Sequence, residues 1–432
     1  MQLPLVPLAL LASAASLAQC WTPAPSEGSD LAAAESLKML KAATADGSLK
    51  RELATKGVEL MAGECTMENA AVRREYSTLS NEEKLDYTRA VQCLMARPPI
   101  SPADQVPGAQ SRYDNIVATH INQTRTIHRG GSFLAWHRHY VWTFEQALRN
   151  ECGYKGYVPY WSWAKSSQDP LNSPYLDESE YSQGGNGEYE PHNCTIGLSS
   201  HLLCIEPGQG GKQPEPGSWN LDNSKLKIRL PTNKPINPGG CVKKGPYAGI
   251  MANLTATVPS WPGITAKTPF SYDPRCIRHD ISVPLARKWS GDEHIVDLLR
   301  NPLYQTGIGA FQDRLQYTGN DTFGWYGLHQ FGHFLLNGDP TGDITHNSSS
   351  TRQMSPYFGY TTKLLNRVWW IWQNQKPTER AFQVAGTRTM NNKPPSDNVT
   401  LEDTFDMGYN GGEVTIKDLV STMAGPYCYV YR

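Results

Sequence analysis

"HINQTRTIHRGGSFLAWHRHYVWTFEQALRNECG" runs from His120 to Gly153 and carries His120, His128 and His137 in its first half. The stretch from Gly130 onward reads as a helix with Phe133, Trp136, Val141 and Phe144 as buried neighbours, closed by Gly153. A buried neutral imidazole needs a partner for each ring nitrogen, so any one of these histidines alone reads most simply as a satisfied core or surface residue. Three in one short window, flanked by aromatics, point instead to a shared ligand. Imidazole suits copper, zinc, iron and nickel. No cysteine or carboxylate nearby completes a mixed donor set, which leaves an all-histidine site for copper or for zinc.

The rest of the chain bounds what such a site can serve. With 432 residues the chain can bury a large core. A formal net charge of −1 without long runs of one sign argues against a nucleic acid or an anionic membrane as partner. The 12 Trp and 21 Tyr fit a large core and equally a site for aromatic substrates. Residues 1–18 read as a secretory signal, an apolar run ending in Ser16-Leu17-Ala18, too short for a membrane span. The nine cysteines lack zinc-site spacing and read as disulfides with one thiol over. Sequons at Asn122, Asn193, Asn253, Asn320, Asn347 and Asn398 agree with secretion.

Residues 19–60 are rich in Ala, Ser and Lys and read as a loosely docked N-terminal segment with some helix around Leu31–Lys41. "STLSNEEKLDYTRAVQCLMARPP" is a helix: Ser80 and Glu83 form a capping box, Tyr87, Val91, Leu94 and Met95 make an apolar stripe, and Pro98 and Pro99 stop it. Between Trp163 and Lys288 glycine and proline dominate, the pattern of long loops that wrap a scaffold. Helical patterning returns at "DEHIVDLLR", "GLHQFGHFLLNG" and "GYTTKLLNRVWWIWQ". The expected fold is mainly α, and His329 and His333, four apart, share one helix face.

"FLAWHRHYVWTFEQALRNECGYKGYVPYWSWA", with the two preceding histidines, resembles the first copper-binding region (CuA) of tyrosinases and catechol oxidases, in their short secreted fungal branch. Ala135 stands for the family proline and Ser162 for an aspartate. The likeness extends over about residues 60 to 430 and includes Tyr427 and Tyr429 of the closing Tyr-x-Tyr motif. It implies a four-helix bundle holding the copper site, wrapped by long loops and a few short strands, over residues 61–432. It implies His120, His128 and His137 as ligands of one copper, and His329 and His333 as ligands of a second (CuB). Thr126 stands where many fungal members carry a cysteine crosslinked to the second histidine, so that crosslink is absent.

The departures gather at the second copper. "NRVWWIWQ" aligns with the family's Asp-Arg and Trp-rich helix, with Asn366 for the aspartate and Arg367 kept. The His-His pair that precedes it falls on Thr361 and Thr362, and a threonine hydroxyl is a weak donor to copper beside an imidazole. Gln330 and Gln316 stand where relatives have groups implicated in deprotonating phenols, and a neutral amide is no general base. His346 is the outside candidate to fill the gap; His279 and His294 read as surface residues, His139 as pointing away from the metal, and His192 and His201 carry no signal.

The resemblance implies a secreted copper-dependent oxidoreductase that uses O2 on phenols or catechols, in a setting such as the tailoring of an aromatic metabolite. With five family imidazoles in place, three readings stand: an oxidase with an altered second site, a mononuclear copper protein on His120, His128 and His137, or a pseudoenzyme that binds an aromatic ligand. A zinc hydrolase is a remote fourth.

Overall fold

The computed structural model describes residues 21–58, 65–188, 195–197, 203–205, 241–254, 270–277, 279, 281, 283–316, 327–336 and 358–432. The first half contains α1 (Glu27–Ala45), α2 (Ser48–Thr55), β1 (Ala71–Arg73), α3 (Asn81–Ala96), α4 (Arg112–Ile127), α5 (Phe133–Cys152) and the single turn α6 (Trp163–Ser166). Two hairpins follow, β2 (Thr195–Gly197) with β3 (Leu203–Ile205) and β4 (Met251–Leu254) with β5 (Tyr272–Cys276). The second half contains α7 (Val283–Trp289), α8 (Asp292–Arg300), α9 (Ile308–Gln316), α10 (Gly327–Leu336), α11 (Phe358–Asn374) and the short α12 (Pro377–Arg380), then β6 (Thr404–Asp406), β7 (Glu413–Thr415), α13 (Ile416–Leu419) and β8 (Tyr429–Tyr431).

Four helices frame the core: α4 packs on α5, α5 on α11, and α11 on α10. Local sequence sets their ends. Ser80 and Glu83 form the expected capping box on α3, and Ser111 and Asp114 form a second one on α4. Gly153 caps α5 in the left-handed conformation, where a Cβ would be penalised. The core behind the bundle is aromatic: Trp136, Trp161, Trp163, Trp369, Trp370 and Trp372 are all essentially inaccessible. Arg138 lies flat on Trp369, 3.5 Å above the ring, and donates to the Val420 carbonyl and to Gln373.

The chain's early and late segments close on each other. β1 pairs in parallel with β8, and Cys65 is bonded to Cys428. Cys93–Cys152 and Cys241–Cys276 are the other disulfides among the described residues. In the loop-entropy model, the two shorter cross-links each remove about 4 kcal/mol of unfolded-state freedom and Cys65–Cys428 about 6 kcal/mol.

Two sequence readings need correction. The N-terminal segment is not loosely docked. α1 is longer than expected and packs on α8 and α11, burying Ala32, Ala33, Ser36, Leu40 and Ala43. Asp30 meets the buried Arg367 guanidinium at 2.9 Å, and the Ser36 hydroxyl donates to the Ile371 carbonyl at 2.9 Å. His279 is no surface residue: it is buried, with Nδ1 bound to the Gly185 carbonyl, and desolvation lowers its pKa to about 4. His294 is part-exposed against the Lys288 carbonyl, and the Arg367 and tryptophan helix is packing, as expected. Residues 1–18, His192, His201 and His346 lie outside the described residues.

Candidate metal centre

His120 is on α4, His128 caps the end of that helix in extended conformation, and His137 is one turn into α5. All are buried, and a nitrogen of each lies within 4.8 Å of those of the others. Nδ1 of His128 is 2.8 Å from the Thr124 carbonyl, and Nδ1 of His137 is 2.7 Å from the Phe133 carbonyl. A carbonyl only accepts, so Nδ1 of each ring carries the proton and Nε2 keeps its lone pair. The backbone thereby selects the tautomer that presents Nε2 to the shared space. Nε2 of His137 is 3.3 Å from Nε2 of His120, and Nε2 of His128 is buried without a hydrogen-bond partner among the described residues.

These rings fit a metal ion. Metal–nitrogen bonds of about 2.0–2.1 Å space neighbouring ligand nitrogens by roughly 3.3–3.6 Å. A carbonyl behind a ligating imidazole is the usual arrangement that orients the ring and raises its basicity. Protons do not compete, because burial pushes the His128 imidazole down to about 4 and holds that of His137 well below its ordinary range. Trp136 stands edge-on to His120 and His137 and donates its indole N–H to Gln123 at 2.8 Å. His139 turns away, bonded to the Tyr427 hydroxyl at 2.9 Å and stacked on Trp142. Asn122 is exposed on α4, as expected for a sequon beside the rings.

The second pair lies on α10. His329 is buried, and its ring stacks on that of His128 with centroids 5.5 Å apart and planes at 15°. Phe133 fills the angle between His329 and His137, 4.7 and 4.6 Å from their rings. His333 is one turn further along α10, and its side chain is outside the described residues, as is that of Thr361. Thr362 is buried near the start of α11. One turn on, Asn366 donates to the His137 main-chain carbonyl at 3.4 Å, which ties α11 to the helix that carries His137. The structure thus brings His120, His128, His137 and His329 together.

Three features go beyond the sequence reading, which singled out Gln316 alone among their residues and gave it no structural role. Lys363 is buried; its ammonium position lies over Tyr87 and Phe144, and Nζ donates to the Tyr87 hydroxyl at 3.0 Å. Desolvation, aided by Arg73, holds that amine well below its ordinary pKa. Gln312 and Gln316, a turn apart on α9, clamp the loop after His128. Nε2 of Gln312 donates to the Gly130 carbonyl, and Oε1 of Gln316 accepts from the Arg129 N–H at 2.7 Å. Gly131 of that loop is packed so closely that a Cβ would meet Val399 at 2.2 Å.

Comparison with known proteins agrees with this architecture. The family model described as the common central domain of tyrosinase matches residues 110–375. Tyrosinase P of Aspergillus terreus is 32% identical over 362 residues, covering 83% of this chain and 91% of that protein. The N-acetyl-6-hydroxytryptophan oxidase of Emericella nidulans is 31% identical over 382 residues, covering 85% of this chain and 94% of that protein. A solved variant of polyphenol oxidase from Thermothelomyces thermophila superimposes with a TM-score of 0.75 at 31% identity, over 95% of this chain and 98% of that one. This mainly helical chain, with its buried histidine cluster, belongs to the tyrosinase family and is a tyrosinase-like oxidoreductase.

Proposed function

We propose that the chain is a secreted copper-dependent oxidase that uses O2 on phenolic or catecholic substrates, with one well-made copper site and a second that is altered. The observation that carries this reading is the His120, His128 and His137 cluster with two tautomers fixed by backbone carbonyls. In it these three rings hold one copper, and His329 and His333 belong to the second. Bound copper supplies reversible one-electron chemistry and a place for dioxygen. The chain's own contribution is orientation: Thr124 and Phe133 fix two imidazoles, Phe133 fills the space between the two groups of rings, and burial keeps the His128 and His137 rings neutral so that Nε2 retains its lone pair.

Secretion is supported by the disulfides, which form in oxidising compartments, and by the residues 1–18 pattern. No helix among the described residues is long and apolar enough to cross a membrane. A substrate built on an aromatic metabolite fits the relative named for oxidising N-acetyl-6-hydroxytryptophan. Diphenol oxidation is favoured over phenol hydroxylation, since Gln316 and Gln330 are amides that take up no proton.

One observation favours a second reading, a single copper on His120, His128 and His137. Near its start α11 offers Thr362 and then Lys363, whose amine is committed to Tyr87. Metal analysis with oxygen uptake separates the readings. About two coppers per chain with consumption of O2 on a catechol panel supports the altered pair. One copper with a strong resting cupric EPR signal supports the single site. Full copper loading without oxygen uptake on any catechol defeats the oxidase reading.

A further inference from the structure

Gln316 ends α9 with its side chain wholly buried. The orientation of its amide is fixed by chemistry. The Arg129 N–H can only donate, so the atom 2.7 Å from it is Oε1, and Nε2 must point the other way. There Nε2 is buried without a hydrogen-bond partner among the described residues. Leaving a buried amide donor unpaired is costly, and native structures rarely leave such a group without a partner. Its place is informative. Arg129 directly follows His128, while α9 packs on α10, the helix that carries His329. The amide therefore sits where the loop of the first histidine group meets the helix of the second.

The geometry points to Gln316 as a specificity-determining residue whose Nε2 donates a hydrogen bond to an acceptor oxygen of the bound aromatic substrate. This rests on the oxidase reading above and deepens it. An N–H donor favours an oxygen that is anionic or a carbonyl over a protonated hydroxyl, which must offer a lone pair while its own proton finds another acceptor. The substrate class is accordingly a catechol that arrives as its monoanion, acidified by an electron-withdrawing ring substituent, or one with an acyl or carboxylate oxygen beside the ring. Because Oε1 is committed to Arg129, the same side chain locks the loop behind His128 and presents the donor. A substitution that keeps the first role and reverses the second isolates the proposal.

Gln316→Glu does this. One carboxylate oxygen still accepts from Arg129, while the other repels an anionic oxygen. The probes are 4-nitrocatechol, a monoanion at neutral pH, and 4-tert-butylcatechol, uncharged there, bound anaerobically to copper-loaded protein and followed by optical titration and calorimetry. The expected result is a loss of 4-nitrocatechol affinity of about tenfold or more, a change of less than about threefold for 4-tert-butylcatechol, and unchanged copper content. Gln316→Met, which removes donor and clamp together, is expected to weaken 4-nitrocatechol as well. Equal affinity of wild type and Gln316→Glu for 4-nitrocatechol overturns the proposal. So does a parallel loss for both probes with loss of copper, since that reports only the Arg129 clamp. Wild-type protein that binds neither probe refutes the oxidase reading and this proposal with it.

Discussion

The two groups of histidines are built to different standards. On α4 and α5, two of three rings are held from behind by main-chain carbonyls, one ring nitrogen is left without a partner, and the connecting loop is clamped by α9. On α10 and α11, His329 is placed by stacking on His128 and by contact with Phe133, while α11 begins with a buried Thr362 and a Lys363 whose amine donates to Tyr87. The contrast teaches that the bundle is held by packing around the histidines and does not need both groups to be equally well anchored. The tryptophans, the Arg138 stack on Trp369 and the α1 contacts to α11 do not depend on the second site.

The strongest way to break this contrast is at the first group. His137→Ala removes a ring whose nitrogens face Phe133 and His120, and copper affinity there should fall by at least about 100-fold, read by equilibrium dialysis; retained tight binding would show that the cluster is not the main site. Thr362→His sharpens the other side: it should raise copper stoichiometry, with affinity at the second position improved by about 10–100-fold, and an unchanged count would show that position 362 does not face that metal. Gly131→Ala tests the clamp. Its Cβ would meet Val399 and the Ala385 and Gly386 carbonyls, so thermal unfolding should register a loss of about 1–3 kcal/mol with weaker copper retention. Smallest is Asn366→Leu, which deletes one long hydrogen bond to the His137 carbonyl and should cost about 0.5–1.5 kcal/mol by denaturant titration.

What could be read in the chain follows the same division. The α4 and α5 histidines were legible because three rings, a helix period and a terminating glycine coincide in one stretch. The α3 capping box was legible for a similar reason, a local pattern with a local cause. The docking of α1 was not. Apart from Leu40, its buried face is made of Ser29, Ala32, Ala33, Ser36 and Ala43, small residues that give little hydrophobic contrast, and its anchor is Asp30 reaching Arg367 across 337 positions. Gln312 and Gln316 sit on a short helix and act on a loop far away in sequence, so no periodicity marks them. Lys363 is harder still, since a lysine beside polar residues reads as solvated until Tyr87 and Phe144 are found above it. His279 was misread because it lies outside any periodic element and its partner is a main-chain carbonyl.

The bond between Cys65 and Cys428 has a consequence for what a protease can do to the chain. A protease that severs any one peptide link between those two positions produces two pieces that remain one covalent molecule. Damage to a surface loop is then tolerated until a reductant is present. On a denaturing gel, such nicked material would migrate as a single band without thiol and as two with it.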